Sequence, residues 1–246
     1  MRSAGQAIDM PKRRLVRNVS KVVAALTAAV IVGACGGSPQ ARSITVTFIR
    51  HAESEANASG IIDTSVPGPG LSPEGKGQAQ QVAHQAGHKD YDGIYASTMA
   101  RAQQTAAPLA AELGKQVEVL QGIQEINAGW FEGKPVAQEG ATYLLAPADW
   151  LRGDRQDSIP GSVNGREFND RFTAAIQKVY ASGQHNPVLF SHKFAIEYWT
   201  LMNAKNAKDT LLTSHPLPNI GRVVITGNPV TGWTLVDWDG IRDFHS

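Results

Sequence analysis

Beyond residue 43 the chain alternates short β-branched or apolar runs with longer stretches of helical period. Ile44-Thr45-Val46-Thr47-Phe48-Ile49 reads as a buried strand, because β-branched and aromatic side chains suit a pleated surface. Ser72-Pro73-Glu74 opens a helix to about Gly87, with Ser as the cap and Pro in the first turn, where its missing N–H costs nothing. Gly93-Ile94-Tyr95-Ala96 predicts a short strand, Thr98 to Leu113 an Ala-rich helix closed by Gly114, and Val117 to Leu120 another strand. Phe168, Phe172, Ile176, Val179 and Tyr180 share one helical face. Val188-Leu189-Phe190 is a buried strand, followed by a helix from about Phe194 to Asn203. Val223–Thr226 and Trp233–Val236 form a closing pair around Asn228-Pro229. This alternation predicts a three-layer α/β/α fold, a mainly parallel sheet covered on both faces. Ligands of such sheets bind beyond the carboxyl ends of the strands, so the chemistry is expected just after them.

The first 34 residues follow a different pattern. Arg2, Lys12, Arg13, Arg14, Arg17 and Lys21 face a single acid, Asp9, and Val22 to Val32 is uncharged. Eleven residues are too few for a bilayer core that takes about 20 in a helix. A basic stretch before a short apolar core is the pattern of a secretory signal. Met10 serves as well as Met1 for a start, since the basic run begins just after it. The run ends Val32-Gly33-Ala34-Cys35, which resembles a bacterial lipoprotein signal, with Cys35 the lipid-modified first residue after cleavage. Residues 35–43 then read as a flexible tether and 44–246 as one domain. The expectation is an exported protein, lipid-anchored at the outer face of the bacterial cell membrane. Two acyl chains hold stably where one does not.

Composition narrows the classes. Cys35 is the only cysteine, which excludes an intrachain disulfide framework and a Cys-rich metal site. Loss of residues 1–34 removes six of the 23 basic residues and one of the 22 acidic ones, taking the formal charge from +1 to about −4. No basic surface remains for a nucleic-acid backbone.

Four motifs fall at the predicted strand ends. Arg50-His51-Ala52-Glu53-Ser54, with Asn57 three residues on, follows the first strand. Ser97 to Ala106, containing Arg101, spans the next strand-to-helix turn. Glu125 precedes Gly129-Trp130-Phe131-Glu132-Gly133, and Ser191-His192 follows the strand at 188–190. Singly each is weak: a His at a strand end is more often structural, an Arg on a helix is often exposed, and a loop Glu is usually solvated. Two His, two Arg and a Glu at the ends of one sheet suit a phosphoryl group. Guanidinium forks grip its oxygens, a neutral imidazole can attack phosphorus, and a carboxylic acid can protonate the leaving oxygen.

In these motifs the chain resembles the histidine phosphatase superfamily, also called phosphoglycerate mutase-like. Arg50, His51, Ser54 and Asn57 match its Arg-His-Gly signature, with Ala52 in place of Gly. Leu71-Ser72, Gly75, Gln78 and Ala79 match its Leu-Thr-x-x-Gly-x-x-Gln-Ala segment. Ser97–Ala106 matches the segment with the second Arg, Glu125 the acid before the Gly-x-x-x-Gly loop, and Ser191-His192 the second His. The resemblance covers about residues 44–240 in order, and implies an antiparallel strand at the sheet edge. It implies His51 as nucleophile, Arg50, Arg101, Asn57 and His192 as phosphoryl ligands, and Glu125 as the proton donor, with no cofactor and no metal. Glu125 must then be protonated part of the time, and burial beside Trp130 and Phe131 is the expected cause. One residue departs: Lys193 stands where the family usually has Gly.

The reading is therefore a metal-independent phosphomonoesterase acting on a small phosphorylated substrate. Two rivals stand beside it. One is a mutase-type phosphotransferase, whose glycolytic substrates are cytosolic. The other is a catalytically silent phospho-ligand-binding lipoprotein, suggested by Lys193. Ala58–Gly70 and Lys134–Gly165 are expected to shape the substrate end, and neither carries a recognisable code. No signal speaks to oligomeric state. His84 and His88 are a weaker metal pair without a third ligand. Tyr143, Leu144, Leu145, Trp150 and Leu151 suit either a lid or a core helix, and His215 lies in a loop that could approach the pocket.

Overall fold

The computed structural model describes residues 41–244. The proposed signal segment and Cys35 lie outside the described residues. The elements are, in order, β1 (Ile44–Arg50), α1 (Glu55–Ala58), α2 (Pro73–Ala86), β2 (Gly93–Ala96), α3 (Ala100–Glu112), β3 (Glu118–Val119), α4 (Val136–Tyr143), α5 (Leu145–Leu151), α6 (Gly165–Ala181), β4 (Pro187–Ser191), α7 (Lys193–Asn203), α8 (Leu211–Ser214), β5 (Arg222–Asn228) and β6 (Gly232–Trp238). They form a six-stranded sheet of order β3-β2-β4-β1-β5-β6. β3, β2, β4 and β1 pair in parallel, while β5 pairs antiparallel with both β1 and β6. The expected antiparallel edge is thus the β5–β6 side of the sheet.

Side-chain alternation along the strands divides the core in two. Ile44, Val46 and Phe48 of β1 and Leu189 of β4 point to one face, where Phe168, Phe172 and Ile176 of α6 and Ile196 and Trp199 of α7 cover them. Ile49 of β1 and Val188 and Phe190 of β4 point to the other, under Val82 of α2 and Ala102, Ala106 and Leu109 of α3. A strand's period of two makes this division automatic, and buried parallel strands are apolar on both faces for that reason. Packed rings tighten the first face, with Phe172 stacked on Trp199 at 5.0 Å and Trp150 on Phe168 at 5.6 Å.

Ser72 caps α2 as its sequence predicts, its Oγ accepting the Gly75 N–H at 2.9 Å. The run at 117–120 yields only a two-residue strand, with both residues exposed. The helix α4 carried no signal, α5 is the core helix that the 143–151 stretch allowed, and Leu144 separates the two. α5 buries Trp150 in the core, whereas Tyr143 and Leu144 reach the cavity described below, so the 143–151 stretch is both core helix and cavity wall. α2 ends at Ala86, so His84 and His88 do not share a helix; both are exposed. Among the described residues no helix is long and apolar enough to cross a membrane.

Candidate active site

The parallel strands end together, and their registers align the motifs. Arg50 pairs with Ser191 across β1 and β4, and Ala96 pairs with Phe190 across β2 and β4. His51, His192 and Ser97 therefore emerge side by side. The His51 and His192 rings lie 5.1 Å apart. Arg50, His51, Asn57, Arg101 and Glu125 line one cavity of about 380 Å³, with His192 buried next to it.

The loop carrying His51 is held from several directions. Ala52 N–H donates to Thr105 Oγ at 3.0 Å, and Glu53 N–H to Gln78 Oε1 at 2.9 Å. Ser72 Oγ donates to Glu53 Oε1 at 2.6 Å, and Asn219 Nδ2 to the His51 carbonyl at 3.1 Å. A Cβ on Gly75 would fall 1.9 Å from the Glu53 carbonyl oxygen, so only glycine lets α2 pack this closely. The Leu71–Ala79 segment is thus scaffolding for the His51 loop. Ala52 lies outside the left-handed region, so its methyl group is compatible with the turn.

Partners fix the His51 tautomer. Nδ1 lies 2.6 Å from the Ala52 carbonyl, which only accepts, so Nδ1 carries the proton. Arg101 Nε, which only donates, reaches Nε2 at 3.1 Å, so Nε2 presents its lone pair. Burial and the neighbouring Arg101 and Arg50 charges hold the His51 pKa well below its ordinary value of 6.5. Burial and the Arg101 charge do the same at His192.

Among the described residues, five buried side-chain nitrogen or oxygen atoms lack a hydrogen-bond partner, and three belong to this cluster: Arg50 Nε, Arg101 Nη1 and His192 Nδ1. Buried polar atoms are normally paired. Three such donors in one cluster suit an acceptor-rich partner. The rest of each group is anchored: Arg50 Nη1 donates to the Leu217 carbonyl at 2.8 Å, Arg101 Nη2 to the Asp63 carbonyl at 3.1 Å, and Ser97 Oγ meets His192 Nε2 at 2.7 Å.

Glu125 sits at the start of α7. Its Oε1 accepts the Ile126 and Ala195 N–H groups at 2.9 and 2.8 Å, and Oε2 the Phe194 N–H at 3.2 Å. Burial raises its pKa from 4.5, against the opposing pull of these N–H groups and Arg101. The expected source of that burial needs correction. Trp130 is 76% exposed, held outward against Gly161, while Tyr143 and Phe194 share the cavity wall with Glu125. Gly129 adopts φ 55°, and a Cβ there would fall 2.2 Å from the Pro160 carbonyl oxygen, which accounts for the first glycine of that loop.

Several participants escaped the sequence reading. Ser97 and Thr105 lay inside a matched motif, but nothing marked them as supports. Arg171 of α6 holds the Glu125 loop through the Gln124 carbonyl at 3.0 Å, and Asn219 sits in a Pro-flanked loop without local signal. Lys193 lines the cavity without filling it, its Nζ 5.1 Å from the Phe194 ring centre. His215 stays outside the cavity lining, its ring against Ser214 Oγ at 2.9 Å. Among the described residues no group of three or more His, Cys, Asp or Glu is placed to hold a metal ion.

The fold and the site together define an α/β protein with a buried pair of histidines at the carboxyl ends of its parallel strands. Residues 46–239 match the family model of the histidine phosphatase superfamily, branch 1, and the chain belongs to that family. It is 45% identical over 222 residues to the PE-PGRS family protein PE_PGRS11 of Mycobacterium tuberculosis, a match that covers 84% of this chain and 38% of that longer protein. It is 34% identical over 160 residues to an uncharacterised protein of the same organism, covering 63% of this chain and 75% of that one. In fold it is similar to a mycobacterial glucosyl-3-phosphoglycerate phosphatase, with a TM-score of 0.65 at 19% identity, covering 81% of this chain and 100% of that one. It is also similar in fold to a phosphoserine phosphatase from Entamoeba histolytica, with a TM-score of 0.63 at 24% identity, covering 80% and 98%.

Proposed function

We propose that the chain is a phosphomonoesterase working through a phosphohistidine at His51. The observation that carries this reading is the unprotonated Nε2 of His51 set among unpartnered donors of Arg50 and Arg101, with His192 beside it. The Ser97 hydroxyl, which accepts the Met99 N–H at 3.2 Å, has its proton free for His192 Nε2. Nδ1 of His192 then carries the ring proton and serves as a third donor.

In the first step the hydrogen bond of Arg101 Nε–H passes from Nε2 to a phosphoryl oxygen, and the freed Nε2 lone pair attacks phosphorus. The bond to the ester oxygen breaks, and its electron pair leaves on that oxygen, which takes a proton from Glu125. In the second step a water oxygen attacks phosphorus, the P–N bond breaks, and the Glu125 carboxylate takes the proton released by water. Arg50, Arg101, Asn57 and His192 hold the phosphoryl oxygens through both steps and meet their charge with fixed donors. The raised pKa of Glu125 keeps it able to donate, and the lowered pKa of His51 keeps it able to attack. Export and a lipid on Cys35 are proposed on the pattern of residues 1–35 alone. The mass of the mature protein decides that point: an unmodified Cys35 sinks it.

The test is turnover of 4-nitrophenyl phosphate with chelator present, inhibition by vanadate, and capture of an acid-labile, alkali-stable phosphoenzyme. Turnover that vanadate blocks, with label on His51, is the expected result. Binding of phosphate without turnover, or turnover lost on chelation, overturns the reading.

A further inference from the structure

Resting on the phosphatase reading, we infer that the substrate is a phosphomonoester with an apolar leaving group. The cavity has two unlike ends. The phosphoryl end holds the cations and histidines. The remaining wall is formed by Ile61, Ile62, Val136, Ala141, Leu144 and Phe194. These side chains come from three separate stretches, and Val136 is half exposed.

The polar groups on this wall are mostly committed to the protein. The Tyr143 hydroxyl donates to the Ile126 carbonyl at 2.5 Å. The Thr64 hydroxyl donates to Glu132 Oε2 at 2.5 Å and accepts the Ala128 N–H at 3.0 Å. Asp63 Oδ1 accepts both the Ser65 N–H and its hydroxyl, at 3.1 and 2.8 Å. What remains is the second Asp63 oxygen, the Lys193 ammonium and, next to Asn57, the proton of the Ser54 hydroxyl, whose oxygen accepts the Asn57 N–H. A sugar phosphate brings several hydroxyls, each of which loses water on entry and needs a partner in exchange. This wall does not supply such a set. An alkyl or aryl group needs no partner and gains from leaving water.

The experiment uses the full-length chain and the monophosphates of ethanol, butanol and hexanol, whose leaving oxygens are nearly equal in basicity. Differences in kcat/KM then report contact along the chain rather than chemistry. The expected gain is about threefold per methylene, on the order of 10- to 100-fold from ethyl to hexyl phosphate. Leu144→Ser is expected to lower the hexyl-to-ethyl ratio. The wild-type series decides the matter even if that variant does not fold. A hexyl-to-ethyl ratio of threefold or less, or faster turnover of glucose 6-phosphate or glycerol 3-phosphate than of hexyl phosphate, overturns the inference and leaves the phosphatase reading standing. Failure to turn over any of these, and 4-nitrophenyl phosphate as well, overturns both.

Discussion

The two ends of the cavity are built by opposite means. At the phosphoryl end, donors are buried and left without protein partners, and each is aimed by an anchor behind it. At the leaving-group end, the surface is mostly apolar and its hydroxyls are turned into the protein. The first comes from strand ends whose positions are set by sheet register. The second comes from Phe194 of α7 and from two stretches, the 60–64 loop and the segment leading through α4, that pair with each other: Ile62 N–H donates to the Lys134 carbonyl, Gly133 N–H to the Ile62 carbonyl, and Val136 N–H to the Gly60 carbonyl, all at 2.8–2.9 Å. On the proposed reading the sheet sets the chemistry, while the paired loops set the fit of the leaving group. Such loops can change without moving the phosphoryl end.

Two substitutions at the phosphoryl end test that division with the largest effects. His51→Ala removes the covalent path, and kcat on 4-nitrophenyl phosphate is expected to fall on the order of 10⁴-fold or more, with no phosphoenzyme trapped. Retention of even a tenth of the activity would place the nucleophile elsewhere. Glu125→Gln bridges the two ends, because its proton goes to the leaving oxygen. Its cost in kcat/KM is expected to be roughly 10²–10³-fold on an alkyl phosphate and small on 4-nitrophenyl phosphate, whose leaving group needs no acid, while kcat falls on both because the second step loses its base. The pH profile should change with it. The wild-type acid limb belongs to His51, held well below 6.5, and the alkaline limb to Glu125, raised above 4.5. Loss of the alkaline limb in Glu125→Gln, followed by kcat/KM against pH, identifies the acid; an unchanged limb assigns it to another group.

The same division explains what could be read from the chain. Arg50-His51, Arg101, Glu125 and Ser191-His192 were legible because a strand end is a local pattern: a β-branched run followed directly by a polar group. Gly75 and Gln78 were legible as motif letters, but their purpose, packing on Glu53, appears only when α2 crosses the loop. The wall was legible only as two stretches, Ala58–Gly70 and Lys134–Gly165, and not as particular residues. Ile61, Val136 and Leu144 form no period together, and the contact that unites them is a loop-to-loop pairing about 70 residues long in sequence separation, as at Ile61 and Pro135. The exposed Trp130 misled in the opposite direction, since an aromatic residue near an acid suggests burial that the left-handed turn at Gly129 does not deliver.

The phosphoryl end also rests on one ionisable support. Glu197 of α7 is buried, and its Oε1 accepts the Leu217 N–H at 2.8 Å; the carbonyl of the same Leu217 accepts from Arg50 Nη1. Burial pushes the Glu197 pKa from 4.5 up to about 7, against the pull of Lys193. Between those values the folded chain holds a proton that the unfolded chain has released. The stability this contributes is full below 4.5 and is lost as pH rises through about 7. Glu197→Gln keeps the acceptor and removes the charge. The variant is expected to match the wild type near pH 4 and to exceed it at pH 8 by on the order of 3 kcal/mol, read by denaturant unfolding at both pH values. A stability difference independent of pH would show that Glu197 is charged throughout or that its support of Leu217 is steric.

The smallest expected effect is at Lys193, and it bears most directly on whether the two ends are separate. Lys193 and Arg101 are both cations lining the same cavity. Arg101 is buried, donates to His51 Nε2 and keeps one nitrogen, Nη1, without a partner. Its removal is expected to cost roughly 10²–10³-fold in kcat/KM, as for a preorganised donor to a developing charge. Lys193 is partly exposed, has no ion-pair partner among the described residues, and holds its ammonium over the Phe194 ring. A cation open to water is screened and contributes little. Lys193→Ala is therefore expected to change kcat/KM on ethyl phosphate by less than about threefold. It should also move the Glu197 carboxyl further up, because it removes the charge that opposes its burial, and the pH range over which stability falls should move up with it. A loss in kcat/KM comparable to that of Arg101→Ala would mean that Lys193 reaches the phosphoryl group, and the wall and the phosphoryl end would then be one site rather than two.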